Sequence, residues 1–77
     1  MSKRSAADLE IGEEATIRSF SDQVMSLKLL EMGCLPGALI QLTAKAPLGD
    51  PICLRVAGYS LALRRSEAAT ILISSEE

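Results

Sequence analysis

Histidine and tryptophan are both missing from this 77-residue chain, and phenylalanine and tyrosine occur once each. Without histidine the commonest general base is gone, and so is the usual activator of a serine or cysteine nucleophile. A closed zinc site needs four nitrogen or sulfur ligands. One chain offers only Cys34 and Cys53, and no Cys-x-x-Cys spacing joins them. Ferrous iron favours imidazole and carboxylate donors. The acidic pairs Glu13–Glu14 and Glu76–Glu77 fall on a turn and a tail, where a solvated role is expected. The residues therefore lead to the expectation of no catalytic residue, no intrinsic metal site and no cofactor.

Long apolar runs are also missing. None approaches the ~20 residues of a membrane span. The basic start "MSKRSAADLE" is not followed by the apolar core of a secretory signal, so a cytosolic location without direct membrane insertion is expected. Eight basic and ten acidic side chains leave a formal net charge of −2. That lacks the basic footprint of a free-standing nucleic-acid binder.

What the chain does have is aliphatic residues. Hydrophobic residues make up 48% of it, enough for one compact core. A single domain over residues 1–77 is expected, with 1–4 and 74–77 frayed. At this size folding buries only ~60% of the surface the unfolded chain exposes.

The periodicity is mixed. "SAADL" fits a short helical turn with Ser5 as its cap. "ATIRSF" alternates as a strand, with Ala15, Ile17 and Ser19 on one side and Thr16, Arg18 and Phe20 on the other. "SDQVMSLKLLEM" reads as the one substantial helix, capped by Ser21 or Asp22. Its apolar arc contains Met25, Leu27, Leu29, Leu30 and Met32, opposite Val24, Lys28 and Glu31. Gly33 offers a left-handed C-cap. Pro36 and Gly37 then open a region of period two. "LIQLTA" directs Ile40, Leu42 and Ala44 inward, "ICLRV" does so with Ile52, Leu54 and Val56, and "LALRR" with Leu61 and Leu63. The segment "KAPLGDP" is a turn set by Pro47, Gly49 and Asp50, and "AGYS" is a second turn built on Gly58. "SEAA" fits one 3₁₀ turn with Ser66 as cap, and "TILIS" closes the chain with Ile71 and Ile73 inward. Five short strands with one helix after the first predict a mainly β, SH3-like five-stranded barrel, with the helix capping one end.

Three blocks, "KLLEMGCLPGALI", "APLGDPICLRV" and "YSLALRRSEAATI", resemble the FeoA family in order and spacing, over Ile17 to Ile73. The resemblance implies a small cytosolic SH3-like protein associated with bacterial ferrous-iron uptake. It further implies an accessory or regulatory partner of FeoB, a membrane ferrous-iron transporter with a cytosolic G-protein-like domain. A related domain ends some iron-responsive repressors, but this chain has no room for their DNA-binding part. A free-standing adaptor for another protein or a Pro-rich peptide is the alternative.

Several residues can be weighed individually. Cys34 is either a reactive thiol or a small apolar side chain at a helix end, and the family resemblance favours packing. A Cys34–Cys53 disulfide is not expected in a reducing compartment. Arg64–Arg65 is either an arginine finger toward the FeoB G domain or a solvated strand end, and the second is favoured. For the partner surface, Met25, Leu29, Leu48 and Tyr59 are expected to form one shallow apolar patch.

Overall fold

Five antiparallel strands lie in the spatial order β4-β3-β2-β1-β5 in the computed structural model, which describes residues 4–74. They are β1 (Glu14–Phe20), β2 (Leu39–Lys45), β3 (Ile52–Val56), β4 (Tyr59–Leu63) and β5 (Ile71–Ser74). Helix α1 (Gln23–Glu31) joins β1 to β2, and a one-turn helix α2 (Arg65–Ala68) joins β4 to β5. The inward residues are those that alternation selects in β3: Ile52, Leu54 and Val56 are buried, and Arg55 is exposed.

The ladder does not close into a complete barrel, because β4 and β5 remain the two edges of the sheet. Along the β5 side of this opening the N-terminal segment adds a single backbone bridge, Ser5 to Leu72, and packed side chains. A 3₁₀ turn at Ala6–Asp8 packs against α2 and β5 and buries Ala6, beside the buried Leu9 and Ala68. Ser5 caps that turn as its sequence suggests. The Ala7 N–H donates to Ser5 Oγ at 3.2 Å, and the Ser5 N–H donates to Asp8 Oδ2 at 2.9 Å.

Two irregularities alter the expected faces. A register shift between Ile17 and Ser19 brings Phe20 opposite Ile71, so Phe20 packs on the core and Ser19 is exposed. Burying an aromatic ring instead of a serine is the favourable choice, worth about 1.5–3 kcal/mol if burial is complete. A second shift, between Leu42 and Ala44, leaves Ala44 exposed although alternation points it inward. The segment after β4 is a single α-turn, not 3₁₀. Its capping contact comes from Glu67 Oε1, which accepts the Arg64 N–H at 3.0 Å, in place of Ser66.

The described residues nearest each terminus make defined contacts. Arg4 makes a two-pronged ion pair with Glu13, at 2.8 and 3.0 Å. Ser74 pairs with Thr16 in the sheet. The expectation for residues 1–3 and 75–77 falls outside the described residues.

Candidate partner surface

The corner between α1 and β2 aims the helix. Asp22 caps α1 by accepting the Met25 N–H at 3.0 Å. At the other end Gly33 takes φ +99°. Its N–H donates to the Leu30 carbonyl at 3.1 Å, and the Cys34 N–H donates to the Leu29 carbonyl at 2.9 Å. Those two bonds define a Schellman motif, whose outer position favours an apolar contact. Cys34 fills that position and is fully buried. Burial also raises its thiol pKa, so the residue is a packing group and a poor nucleophile. Cys53 is half-buried, and both thiols are free. Pro36 and Gly37 form the next turn, closed by the Ala38 N–H on the Leu35 carbonyl at 3.0 Å. The Gly37 N–H to Ile17 carbonyl and Ile17 N–H to Ala38 carbonyl bonds, 2.8 and 2.9 Å, tie this turn to β1.

The β2–β3 hairpin tip is held as firmly. The Gly49 N–H donates to the Ala46 carbonyl at 2.7 Å, with Pro47 at the first central position. The Ala46 N–H donates to the Pro51 carbonyl at 3.0 Å. Asp50 Oδ1 accepts the Arg65 N–H at 2.9 Å, which anchors the tip to α2. This geometry presents Leu48 at 95% exposure.

The four residues expected to share one patch do not come together. Leu29 is fully buried beneath α1, so it anchors the helix and offers nothing to a partner. Met25 is half-buried against the core. Leu48 and Tyr59 lie at opposite ends of β3, since Tyr59 pairs with Val56 whereas the tip precedes Ile52. A rise of ~3.3 Å per residue puts roughly 13 Å of strand between them. Sequence reasoning missed Val24 and Leu27, exposed at 81% and 66%. Their i, i+3 spacing makes them neighbours on one helix face. That spacing is visible in the sequence, but the buried arc is narrower than the apolar one: nine helical residues bury only Leu29 completely.

Elsewhere, Glu14, Gln41 and Arg55 lie in one cross-strand row beside Leu39, around an open hollow of about 430 Å³. One carboxylate and one guanidinium balance there, so the hollow carries no net charge to attract an ion. Among the described residues no three His, Cys, Asp or Glu side chains group as a metal site would require. No helix among them is long and apolar enough to cross a membrane. Arg64 and Arg65 are both exposed at the end of β4.

These features define a small SH3-like β domain whose distinctive surface elements are apolar side chains held on bonded turns. A model of the FeoA domain matches residues 5–75, and the chain belongs to the FeoA family, which is tied to ferrous-iron transport. The FeoA-like protein of Clostridium acetobutylicum is 35% identical and superposes with a TM-score of 0.89, over 100% of this chain and 91% of that one. FeoA of Stenotrophomonas maltophilia, an SH3 domain protein solved in complex with zinc, is 26% identical. It has a TM-score of 0.82 over 92% of this chain and 89% of that one. A fusion of Fe(2+) transport protein A with the Fe(2+) transporter FeoB in Porphyromonas gingivalis is 40% identical over 73 residues. That match covers 90% of this chain and 9% of the fusion protein.

Proposed function

We propose that this chain is a cytosolic accessory protein of ferrous-iron uptake, acting by direct contact with FeoB and modulating its assembly or nucleotide cycle. The observation that carries the reading is the Porphyromonas gingivalis fusion, in which a homologous segment shares one polypeptide with FeoB. Tethering keeps two modules at a high effective concentration, and a fusion is favourable where the separate modules must meet. Recruitment to the inner face of the membrane then comes through FeoB.

Leu48 is the proposed anchor of that contact. A fully exposed leucine on a bonded turn needs little further ordering when a partner pocket closes on it. Met25, half-buried against the core, and Tyr59, at the other end of β3, both fall outside it. Pro-rich peptide recognition is the weaker reading, because such grooves are lined by several aromatic rings. This chain has only Tyr59 and the half-buried Phe20.

The test is co-purification of FeoB from membranes with tagged chain, wild type against Leu48→Asp and Tyr59→Ala. Leu48→Asp should lose FeoB while keeping the wild-type melting temperature, and Tyr59→Ala should retain it. Full retention of FeoB by folded Leu48→Asp overturns the anchor. Absence of FeoB from the wild-type eluate overturns the direct contact. The GTPase rate of FeoB with wild type and with Arg65→Ala separates docking from an arginine finger: equal rates remove the finger.

A further inference from the structure

The two edges of the sheet are guarded differently. Along β5, Ser5 bridges to Leu72, and the Ile73 N–H donates to the Arg4 carbonyl at 3.0 Å. The N-terminal segment thus covers that edge, and the Arg4–Glu13 ion pair holds it in place. Along β4 no described residue does the same. Its two-residue turn, Ala57–Gly58, closes on Val56 and Tyr59. In such a turn the closing residues exchange backbone bonds, and pairs along the ladder then alternate. Leu61 and Leu63 therefore bond to β3, while Ser60 and Ala62 point their N–H and C=O groups away from it. Neither residue has a hydrogen-bond partner among the described residues. Both are exposed. Native edges are normally blunted by charge, proline or a bulge. The β4 sequence, Tyr-Ser-Leu-Ala-Leu, has no charge and no proline, and its register with β3 is unbroken.

We propose that the free edge of β4 pairs antiparallel with β4 of a second copy of this chain, about a two-fold axis through Leu61. The strand is self-complementary in that register. Ser60 lies opposite Ala62 of the second copy, and Ala62 opposite its Ser60. Each pair exchanges two backbone hydrogen bonds through the four unpartnered groups of each chain. On one face the half-buried Leu61 meets its own counterpart, an apolar cross-strand contact, while Leu63 stays in the core of its own chain. On the other face only Ser60 and Ala62 project, small enough for the sheets to continue into each other. Arg64 falls opposite Gly58 of the second copy, so no like charges oppose one another. Five residues a side is well below the ~20–30 of a standard interface. The dimer is accordingly weak and forms with rising concentration. This pairing is independent of FeoB and stands or falls without it.

Sedimentation velocity on the whole chain, from roughly 10 µM to 1 mM, reads the pairing directly, because an interface this small is populated only toward the upper end. The wild type should move from monomer toward dimer across that range. Ala62→Pro removes an N–H that faces away from β3, a position where an edge strand tolerates proline, and should remain monomeric. Ser60→Glu with Ala62→Glu sets like charges against each other in both pairs and should also remain monomeric. Ser60→Lys with Ala62→Glu sets opposite charges against each other in both pairs and should restore or strengthen the dimer. Circular dichroism confirms that each variant is folded. A wild type that stays monomeric throughout overturns the proposal. So does an opposite-charge double variant no more associated than the like-charge one, which would mean that another register or another ligand uses the edge.

Discussion

Replacing Gly33 tests the helix corner without touching any packing. A Cβ built on Gly33 meets nothing within 4 Å, so the cost of a side chain there is conformational alone. The residue sits at φ +99°, where a Cβ approaches the following carbonyl at a cost of about 1–2 kcal/mol. For alanine, the lower entropy of its unfolded chain offsets about 0.4–1 kcal/mol of that. The net loss for Gly33→Ala is therefore about 1 kcal/mol. In a domain of this size that is a fall in Tm of roughly 4–8 °C. Gly33→Asn should cost less, since asparagine visits left-handed backbone more readily. Gly33→Val should cost more, because its β-branch adds a χ1 restriction. Urea unfolding followed by circular dichroism should give this order with an unchanged slope, which marks a change in stability and not in compactness. An alanine variant as stable as wild type, or an asparagine variant less stable than the alanine one, would refute the Schellman corner as the element that holds Gly33.

The β3–β4 turn offers the opposite sign: Ala57 is the one described non-glycine residue at positive φ, +53°. Ala57→Asn creates the Asn-Gly pair this turn prefers and should raise stability by ~0.5–1 kcal/mol, measurable by thermal unfolding. Glu13 is held down to about 2 by the hydrogen bonds from Arg4 and then by the Glu10 N–H, against an ordinary value of 4.5. Its contribution is complete above pH 4.5 and drains away as pH falls toward 2; Glu13→Gln should flatten the acid limb of stability against pH over that window. Native chain exposed to a thiol-reactive reagent should label Cys53 well before Cys34, which is buried and has a raised pKa; equal rates would contradict the packing role. Asp50→Ala releases the tip from α2, and FeoB capture should fall by roughly 2- to 10-fold as the ordering cost of about 0.5–1.5 kcal/mol moves to the binding step; capture equal to wild type would detach Leu48 presentation from Asp50.

Local chemistry was the legible part of the sequence. The Asp22 cap, the Gly33 stop, the burial of Cys34 and the alternation of Ile52, Leu54 and Val56 each depend on residues within a few positions of one another. The register shifts near Ser19 and Thr43 were not legible, because a bulge is defined by the strand opposite, and the sequence of one strand does not name its partner. One clue was present: strict alternation would expose the only phenylalanine and bury Ser19, a poor exchange in a chain so short of aromatics. The open edge at β4 and the bond from Asp50 to the backbone of Arg65 depend on contacts across many residues. For Leu29 the error was one of width. A broad apolar arc does not reveal which residue lies at its centre, and that residue is the one the core takes.

The candidate surface gains its coherence from α2, an element the sequence marks only faintly. In its four residues the Arg65 N–H reaches the hairpin tip through Asp50, while Glu67 reaches α1 through Lys28 Nζ at 3.3 Å. Glu67 also accepts the Arg64 N–H, the principal cause of its lowered pKa, so its carboxylate stays ionised for both contacts. The exposed Lys28–Glu67 pair adds little stability by itself. Its effect is geometric: the tip that presents Leu48 and the helix that exposes Val24 and Leu27 are both referred to one short segment. A partner meeting both would read their relative position through α2. Tyr59 has no such link, because it opens β4, the free edge strand, opposite Val56 at the other end of β3. Two separate surfaces follow: one built on α1, α2 and the tip, suited to a larger partner, and one built on β4, suited to another strand. On the two proposals together, pairing through β4 would leave Leu48, Val24 and Leu27 uncovered.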